Sequence, residues 1–190
     1  KEAKHEILIL TDADCKPATP QWLKSMVSAY EPKTEIVLGF SNFMPARGLL
    51  NLLQRFETFH TGLMYMSLAR SGMPYMGVGR NLSYKRSLFF REQGFIRHYT
   101  IASGDDDLFI NKAATRANTA INLDPDSFTT TKAKSSWAAW IRQKRRHYTT
   151  GSHYKFWHKL VLGLYSLSQV LLYLLLVSLL VLRFPWYAIL

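Results

Sequence analysis

An apolar run ends abruptly in two carboxylates within residues 7–14, ILILTDAD. Such a run is typical of a buried strand, predicted here over residues 6–10, whose C-terminal end opens into a site. Asp12 and Asp14 stand on either side of Ala13, so both carboxylates can reach one hard divalent cation. An ion of this class, Mg²⁺ or Mn²⁺, also takes oxygens from a diphosphate. The stretch therefore predicts a strand followed by a metal site.

Strands and helices alternate along the rest of the chain, which predicts an α/β fold. The segment 48–70 carries apolar residues at helical spacing, and such a stripe is more typical of a helix that faces a core. A helix lying at a bilayer surface is the alternative. Further strands are predicted over residues 35–43, 82–84 and 119–123, and further helices over residues 20–30, 86–92, 105–116 and 135–147.

The C-terminal part is apolar enough to cross a bilayer. Residues 160–182 carry no charge, and only Gln169 among them is strongly polar. A spanning helix needs ~20 such residues, and the flanking Arg183, Trp186 and Tyr187 are typical of a membrane boundary. We therefore expect a transmembrane helix here, with a buried core helix as the alternative. We also expect the chain to be an internal fragment of a longer protein.

Positive charge is concentrated in one segment. The 190-residue chain has a net charge of +11, and the stretch from Lys132 to Lys159 contains no Asp or Glu. A basic cluster can face nucleic acid, anionic lipid headgroups or a phosphate-bearing substrate. Because it runs into the apolar segment, the positive-inside rule places it on the cytoplasmic side. The only cysteine, Cys15, excludes an internal disulfide and is expected to be a packing residue.

Three successive carboxylates, Asp105, Asp106 and Asp107, begin the helix predicted from residue 105. One explanation is a solvated helix start, where the helix dipole favours negative charge. The other is that one carboxylate points into a cleft and takes a proton from an acceptor hydroxyl. A neighbouring carboxylate would strengthen that base. Both explanations stay open from the residues alone.

The basic helix over residues 135–150 contains the sequence QKRRH at residues 143–147. Its arginines Arg142, Arg145 and Arg146 spread around the helix, so at least one should face inward. Guanidinium groups suit a pyrophosphate because they offer forked donors that never deprotonate. Contact with lipid headgroups is the alternative for the same charges.

Together these segments resemble the large family 2 of inverting glycosyltransferases, which includes cellulose, chitin and hyaluronan synthases and many bacterial membrane-bound relatives. Residues 11–14, TDAD, resemble the family's Asp-x-Asp metal motif, and residues 103–108, SGDDDL, resemble its Glu-Asp-x-Asp-Leu catalytic motif. That alignment implies Asp105 as the base, and alignment on Gly104 implies Asp106. Residues 143–147 are similar to the Gln-x-x-Arg-Trp motif, with Gln143 and Arg146 matching and His147 standing where tryptophan is usual.

The resemblance implies a catalytic domain of the GT-A type over residues 1–156, a Rossmann-like α/β domain lacking its N-terminal strands, followed by a membrane segment over residues 157–190. It implies a UDP- or GDP-sugar donor, Mg²⁺ or Mn²⁺, and a lipid-linked or glycan acceptor. The loop at residues 77–81 would line the sugars through Gly79 and Asn81, and Gln143, Arg145, Arg146 and His147 would meet the diphosphate or acceptor. The absent tryptophan disfavours a long-chain synthase. The expected location is the bacterial inner membrane, with a cytoplasmic catalytic domain and contacts to lipid.

Two other classes of function remain as alternatives. A non-catalytic, membrane-tethered module could bind anionic lipid or nucleic acid through the basic segment. It would leave both acidic motifs unexplained, and carboxylate clusters oppose polyanion binding, so we expect no nucleic-acid partner. A two-metal phosphoryl-transfer enzyme would need more ligands than the scattered histidines supply, and the chain has no Walker-type phosphate loop.

Overall fold

The computed structural model describes residues 3–96 and 104–181, which form a mixed α/β structure. The expected fold class is therefore confirmed. Two compact units divide the chain at residues 154 and 155. Ser103 of the acidic motif and the residues from 182 onward, including Arg183, Trp186 and Tyr187, lie outside the described ranges.

The elements of the first unit follow the predicted order, with two strands added. The strands are β1 (Ile7–Leu10), β2 (Lys16–Pro17), β3 (Ile36–Leu38), β4 (Ser41–Phe43), β5 (Leu82–Lys85), β6 (Thr119–Ile121) and β7 (Thr129–Thr131). The helices are α1 (Trp22–Ser28), α2 (Leu49–Arg70), α3 (Arg86–Arg91), α4 (Asp105–Ala113) and α5 (Trp137–Tyr148).

A four-stranded sheet in the order β1-β5-β3-β6 forms the centre of the first unit. Strand β5 is antiparallel to both β1 and β3, whereas β3 and β6 are parallel. The apolar residues of β3 are fully buried, because a helix or strand covers them on each side. Helix α1 packs on this sheet through Trp22 and Met26, which contact Val37. The C-terminal end of β1 thus leads directly into the Asp12 loop.

The single strand expected over residues 35–43 is instead two strands in two sheets. Strand β4 belongs to a second sheet, ordered β2-β7-β4. The break falls at Gly39, where an added Cβ would lie 2.6 Å from the Asn81 side chain. Strands β2 and β7 were not predicted, since β2 has only two residues and β7 is three threonines without apolar alternation.

The core-facing interpretation of α2 holds only for its last turns, where Tyr65, Met66 and Ala69 are buried. It is wrong for the apolar residues of the first four turns. Leu49, Leu52, Phe56, Phe59 and Leu63 are all more than half exposed. The buried positions of the helix include polar side chains instead. The Asn51 Oδ1 accepts a hydrogen bond from the Ala46 N–H. The Gln54 side chain donates to the Lys134 carbonyl and accepts from the Lys134 N–H. Those bonds join α2 to the segment that leads into α5.

The second unit contains α6 (Phe156–Val181). Among the described residues, α6 is long and apolar enough to cross a membrane. The mean hydropathy of its most apolar stretch is 2.1. The helix extends over most of the span predicted for residues 160–182.

Asn81 is a structural residue, which corrects the expectation that it lines the sugars. Its side chain is fully buried, and its Oδ1 accepts the Trp22 Nε1–H at 3.0 Å. Its Nδ2 donates to the carbonyls of Phe40 at 2.8 Å and Ser127 at 2.7 Å. One amide therefore ties α1, the break between the two sheets and the turn before β7.

We predict that Asn81→Ala lowers the free energy of unfolding by about 3 kcal/mol, because it removes the partner of the Trp22 indole N–H and of the Ser127 carbonyl. The Phe40 carbonyl keeps its hydrogen bond from the Thr129 N–H. Thermal unfolding in detergent, followed by circular dichroism, measures the change. Asn42→Ala is the matched control, since the hydrogen bond that the Asn42 side chain makes is a local one, accepted by Oδ1 from the N–H of Phe43. A normal unfolding midpoint for Asn81→Ala, combined with lost substrate binding, would restore the ligand-binding role.

Candidate active site

A cavity of about 370 Å³ in the first unit is lined by residues from distant parts of the chain. The loop after β1, the strand β4, the helix α2, the loop before β5, the start of α4 and the helix α5 all contribute. Its lining residues are Asp12, Phe40, Ser41, Phe43, Thr58, Thr61, Tyr65, Met76, Val78, Gly79, Arg80, Gly104, Asp105, Asp106, Asp107, Trp140, Gln143, Lys144, Arg146 and His147.

The start of α4 is set by Gly104. This residue has a φ of +82°, and an added Cβ would lie 2.1 Å from the Thr150 Cγ2 atom. Only glycine meets both conditions without strain or displacement of Thr150. The glycine therefore brings the acidic turn against the segment that follows α5.

Asp106 is held by backbone amides. Its Oδ2 accepts the Gly79 N–H at 2.5 Å, and its Oδ1 accepts the Asp107 N–H at 2.9 Å. Burial raises the pKa of Asp106, and these hydrogen bonds oppose the rise. An added Cβ at Gly79 would lie 2.9 Å from the Asp106 Oδ2 atom, so the loop needs glycine for this approach. Gly79 is thus at the cavity, as predicted.

Asp105 differs from Asp106 in its surroundings. It is exposed, it lines the cavity, and its carboxylate forms no hydrogen bond within the described part of the chain. A carboxylate with free lone pairs can accept a proton from a substrate hydroxyl, whereas the oxygens of Asp106 already accept backbone N–H groups. The geometry therefore favours Asp105 as the more available base.

Asp107 is a buried third carboxylate that the sequence did not single out. Burial raises its pKa well above the usual range, and the charges of Asp106 and Asp105 add to this rise. The Tyr154 hydroxyl donates a hydrogen bond to it. Tyr154 also packs edge-on against Tyr75, with ring centroids 5.8 Å apart. Three identical residues thus have three different environments, which explains how they avoid mutual repulsion.

Asp12 and Asp14 form the candidate metal site together with Cys15. Their ligand atoms all lie within 4.8 Å of one another, and both carboxylates are exposed. Burial raises the pKa of the Cys15 thiol, and the two aspartates add to the effect, so the thiol stays protonated. The oxygens of two aspartates suit Mg²⁺ or Mn²⁺, whereas a protonated thiol does not bind such hard ions. Asp12 lines the cavity, and Asp14 lies beside it.

Of the α5 residues predicted to meet the diphosphate or acceptor, Gln143, Arg146 and His147 line the cavity and Arg145 does not. Arg145 is exposed on another side of the helix, since successive residues point about 100° apart. Burial lowers the pKa of His147 to about 4, and the nearby cations act in the same direction. His147 is therefore neutral at pH 7. The ion pair between Lys144 and Glu57 holds α5 against α2.

Three lining residues were missed from the sequence. Arg80 places its guanidinium over the Phe43 ring, 5.0 Å from the ring centroid. The Trp140 indole N–H and the buried Ser41 hydroxyl have no hydrogen-bond partner among the described residues. Trp140 precedes His147 by two helical turns, so the helical period could have found it. Arg80 lies between the two loop residues that were predicted.

The family of this chain is shown by a match to a family model over nearly its whole length. A family model described as "Glycosyl transferase family group 2" matches residues 7–190, almost the entire chain. The chain belongs to this family. The family assignment confirms the resemblance drawn from the acidic motifs and the QKRRH segment. A search of curated proteins gives no match.

Among solved structures, the glycosyltransferase chain is similar to a mannosyltransferase from Pyrobaculum calidifontis, whose structure is a complex with GDP-Man and Mn²⁺. The TM-score is 0.56 and the sequence identity 21%. The match covers 80% of the present chain and 39% of that neighbour. Identity at this level shows a shared fold, and the GT-A fold is thereby confirmed.

We predict that Asp107→Asn reduces the loss of stability of this family member with rising pH. A carboxyl whose pKa is raised on folding stabilises the protein below its unfolded pKa, and that contribution disappears as the pH rises through the folded pKa. As the pH rises above about 4, the ordinary pKa of an aspartate, the parent should therefore lose more stability than the variant. Thermal unfolding midpoints at a series of pH values measure this. Asp105→Asn, on the same turn but exposed, is the control, and parallel curves for parent and Asp107→Asn would contradict the prediction.

Proposed function

We propose that this family 2 member is the core of a metal-dependent inverting glycosyltransferase. It would move a sugar from a nucleoside diphosphate donor to a hydroxyl of a lipid-linked or glycan acceptor. One observation carries the proposal. A single cavity gathers Asp12, the acidic turn at Asp105 and Asp106, and the α5 residues Arg146 and His147, although these lie far apart in the chain.

The base in this proposal is Asp105. Its carboxylate would accept the proton of the acceptor hydroxyl, and the oxygen would attack the anomeric carbon on the face opposite the diphosphate. The new bond forms as the bond between the anomeric carbon and the phosphate oxygen breaks, and the electron pair leaves with the diphosphate. Asp106, held by two backbone amides, is better suited to positioning Asp105 and the Gly79 loop than to taking a proton.

The leaving diphosphate carries negative charge that the site must offset. A divalent cation bound by Asp12 and Asp14 would neutralise part of it. Arg146 and Arg80 both line the cavity, so their guanidinium groups supply further donors for phosphate oxygens. Neutral His147 would add a hydrogen bond rather than a charge. Arg145 has no part in this arrangement.

The acceptor in this proposal approaches along α5. Trp140 lines the cavity, and its buried indole N–H has no hydrogen-bond partner in the described part of the chain, so an aromatic ring and a donor are available for a sugar ring and its hydroxyl. It would compensate for the histidine that replaces the family's tryptophan at residue 147. Helix α6 would anchor the enzyme in the bacterial inner membrane with the catalytic domain cytoplasmic, which favours an acceptor at the membrane surface.

We predict that the full-length protein releases nucleoside diphosphate from a sugar nucleotide only with Mn²⁺ or Mg²⁺ and an acceptor present. Asp105→Asn should lower kcat by about 10²- to 10⁴-fold, the contribution of a positioned base. Chelation by EDTA should abolish release, and added Mn²⁺ should restore it. A coupled phosphate assay in membranes with UDP- and GDP-sugars measures this, with GDP-mannose tested first because the structural neighbour binds it.

Asp106→Asn and Asp107→Asn are the matched variants for this experiment, since each changes one carboxylate of the same turn. A large loss of kcat in Asp106→Asn, with Asp105→Asn unchanged, would move the base to Asp106. Metal-independent release would overturn the metal proposal. No release from any donor, with every variant binding anionic vesicles like the parent, would support the non-catalytic binding module.

We further predict that Trp140→Phe raises the KM for the acceptor about three- to tenfold, the range expected for one neutral hydrogen bond, and leaves the donor KM unchanged. The substitution retains an aromatic ring but removes the indole N–H. Trp137→Phe is the control, because Trp137 lies on the same helix and does not line the cavity. Steady-state kinetics with the donor and the acceptor each varied measures the two KM values. Equal effects of the two substitutions would remove Trp140 from the acceptor site.

A further inference from the structure

The outward face of α2 is an apolar ridge. Leu49, Leu52, Phe56, Phe59 and Leu63 are 63, 60, 63, 55 and 55% exposed, respectively. Their spacing alternates between three and four residues, which places all five along one line of the helix. The ridge extends over residues 49–63, a rise of about 21 Å at the ordinary 1.5 Å per residue.

The polarity of α2 is inverted relative to a helix on the surface of a soluble protein. Such a helix buries its apolar stripe and exposes polar residues. Here Asn51, Gln54 and Thr58 are buried, and the five most exposed positions of the first four turns are leucine or phenylalanine. Exposing an apolar surface of this length to water is unfavourable. Such a surface is typical of a site that contacts a membrane or another protein.

Exposed arginines precede and follow the ridge. Arg47 lies just before it and Arg70 lies two turns beyond its end, and Glu57, the acidic residue of the helix, is paired with Lys144 of α5. Helix α5 itself exposes Trp137 and Ile141 among arginines, in a segment that lacks any acidic residue. Apolar residues bordered by Lys and Arg are typical of helices that lie in the headgroup region of an anionic bilayer.

An apolar groove of about 780 Å³ continues the ridge on one side. Phe59 and Leu63 belong to both the ridge and the groove, and Met66, Leu123 and Phe128 extend the apolar lining. Arg70 stands in the groove wall. The apolar surface is thus wider than one helix face and has a cation at its edge.

We propose that α2 lies in the interface of an anionic lipid bilayer, with the ridge Leu49–Leu63 buried among the acyl chains and Arg47 and Arg70 at the headgroups. A second copy of the chain fits the same surface less well. Two copies would bring equal sets of cations together, and the net charge of +11 already opposes self-association. The proposal is independent of the transfer reaction.

Spin labels in the full-length protein test this surface. Native cysteines are replaced by alanine, and single cysteines are introduced as Phe56→Cys, Phe59→Cys and Leu23→Cys and labelled with a nitroxide. Leu23 is the matched control, because it is 57% exposed on a helix but lies on α1. The protein is reconstituted in phosphatidylcholine vesicles containing phosphatidylglycerol, and collisions of each label with oxygen and with a water-soluble nickel chelate are measured by power saturation.

The expected result is a ratio of oxygen to nickel accessibility severalfold higher at residues 56 and 59 than at residue 23. Nickel accessibility at residues 56 and 59 equal to that at residue 23 would show that the ridge faces water and would overturn the proposal. Exclusion of both reagents would show that protein covers the ridge. Dipolar broadening between labels in that case would identify a second copy as the occupant.

Discussion

The hydrogen bond from the Gly79 amide to the Asp106 carboxylate fixes the acidic turn of α4 against the loop that precedes β5. Three consecutive residues of this loop each make a different contact. Gly79 holds the acidic turn, Arg80 faces the cavity beside Phe43, and Asn81 locks the two sheets and α1 through its buried amide. A shift of this loop would displace the acidic turn and the cation opposite it together, so the site depends on it more than on any one charged residue.

The acidic turn shows how one residue type can serve different purposes through its surroundings. Asp105 is exposed to the cavity, Asp106 accepts two backbone amides, and Asp107 is buried beside the Tyr154 hydroxyl. Burial raises the pKa values of the last two and disfavours their ionised forms. The three carboxylates therefore differ in exposure and in hydrogen bonding, and Asp105 is the one that faces the cavity without a hydrogen-bond partner among the described residues.

The sequence predicted local features well and orientations poorly. The strand at residues 7–10 and the acidic loop after it were evident, because an apolar run followed by carboxylates has few other interpretations. The helix 49–70 was also evident, but its periodicity indicates only that one face is apolar, not whether that face meets a core. The break at Gly39 depends on the Asn81 side chain, which is distant in sequence. Asp107 could not be separated from Asp105 and Asp106, because burial is a property of the whole fold.

Helix α2 connects the proposed membrane contact to the site. Its outward ridge is apolar, whereas Thr58, Thr61 and Tyr65 on other faces line the cavity, and its bonds through Gln54 and Glu57 hold the α5 segment in place. A helix with side chains is about 10 Å across. If the ridge lies among the acyl chains, the cavity lies about one helix diameter from the headgroups. An acceptor hydroxyl carried close to a lipid headgroup could then reach Asp105 without leaving the bilayer, whereas a soluble glycan would gain nothing from this geometry. If α2 lies in the bilayer interface as proposed, its polarity would favour a lipid-linked acceptor over a free one.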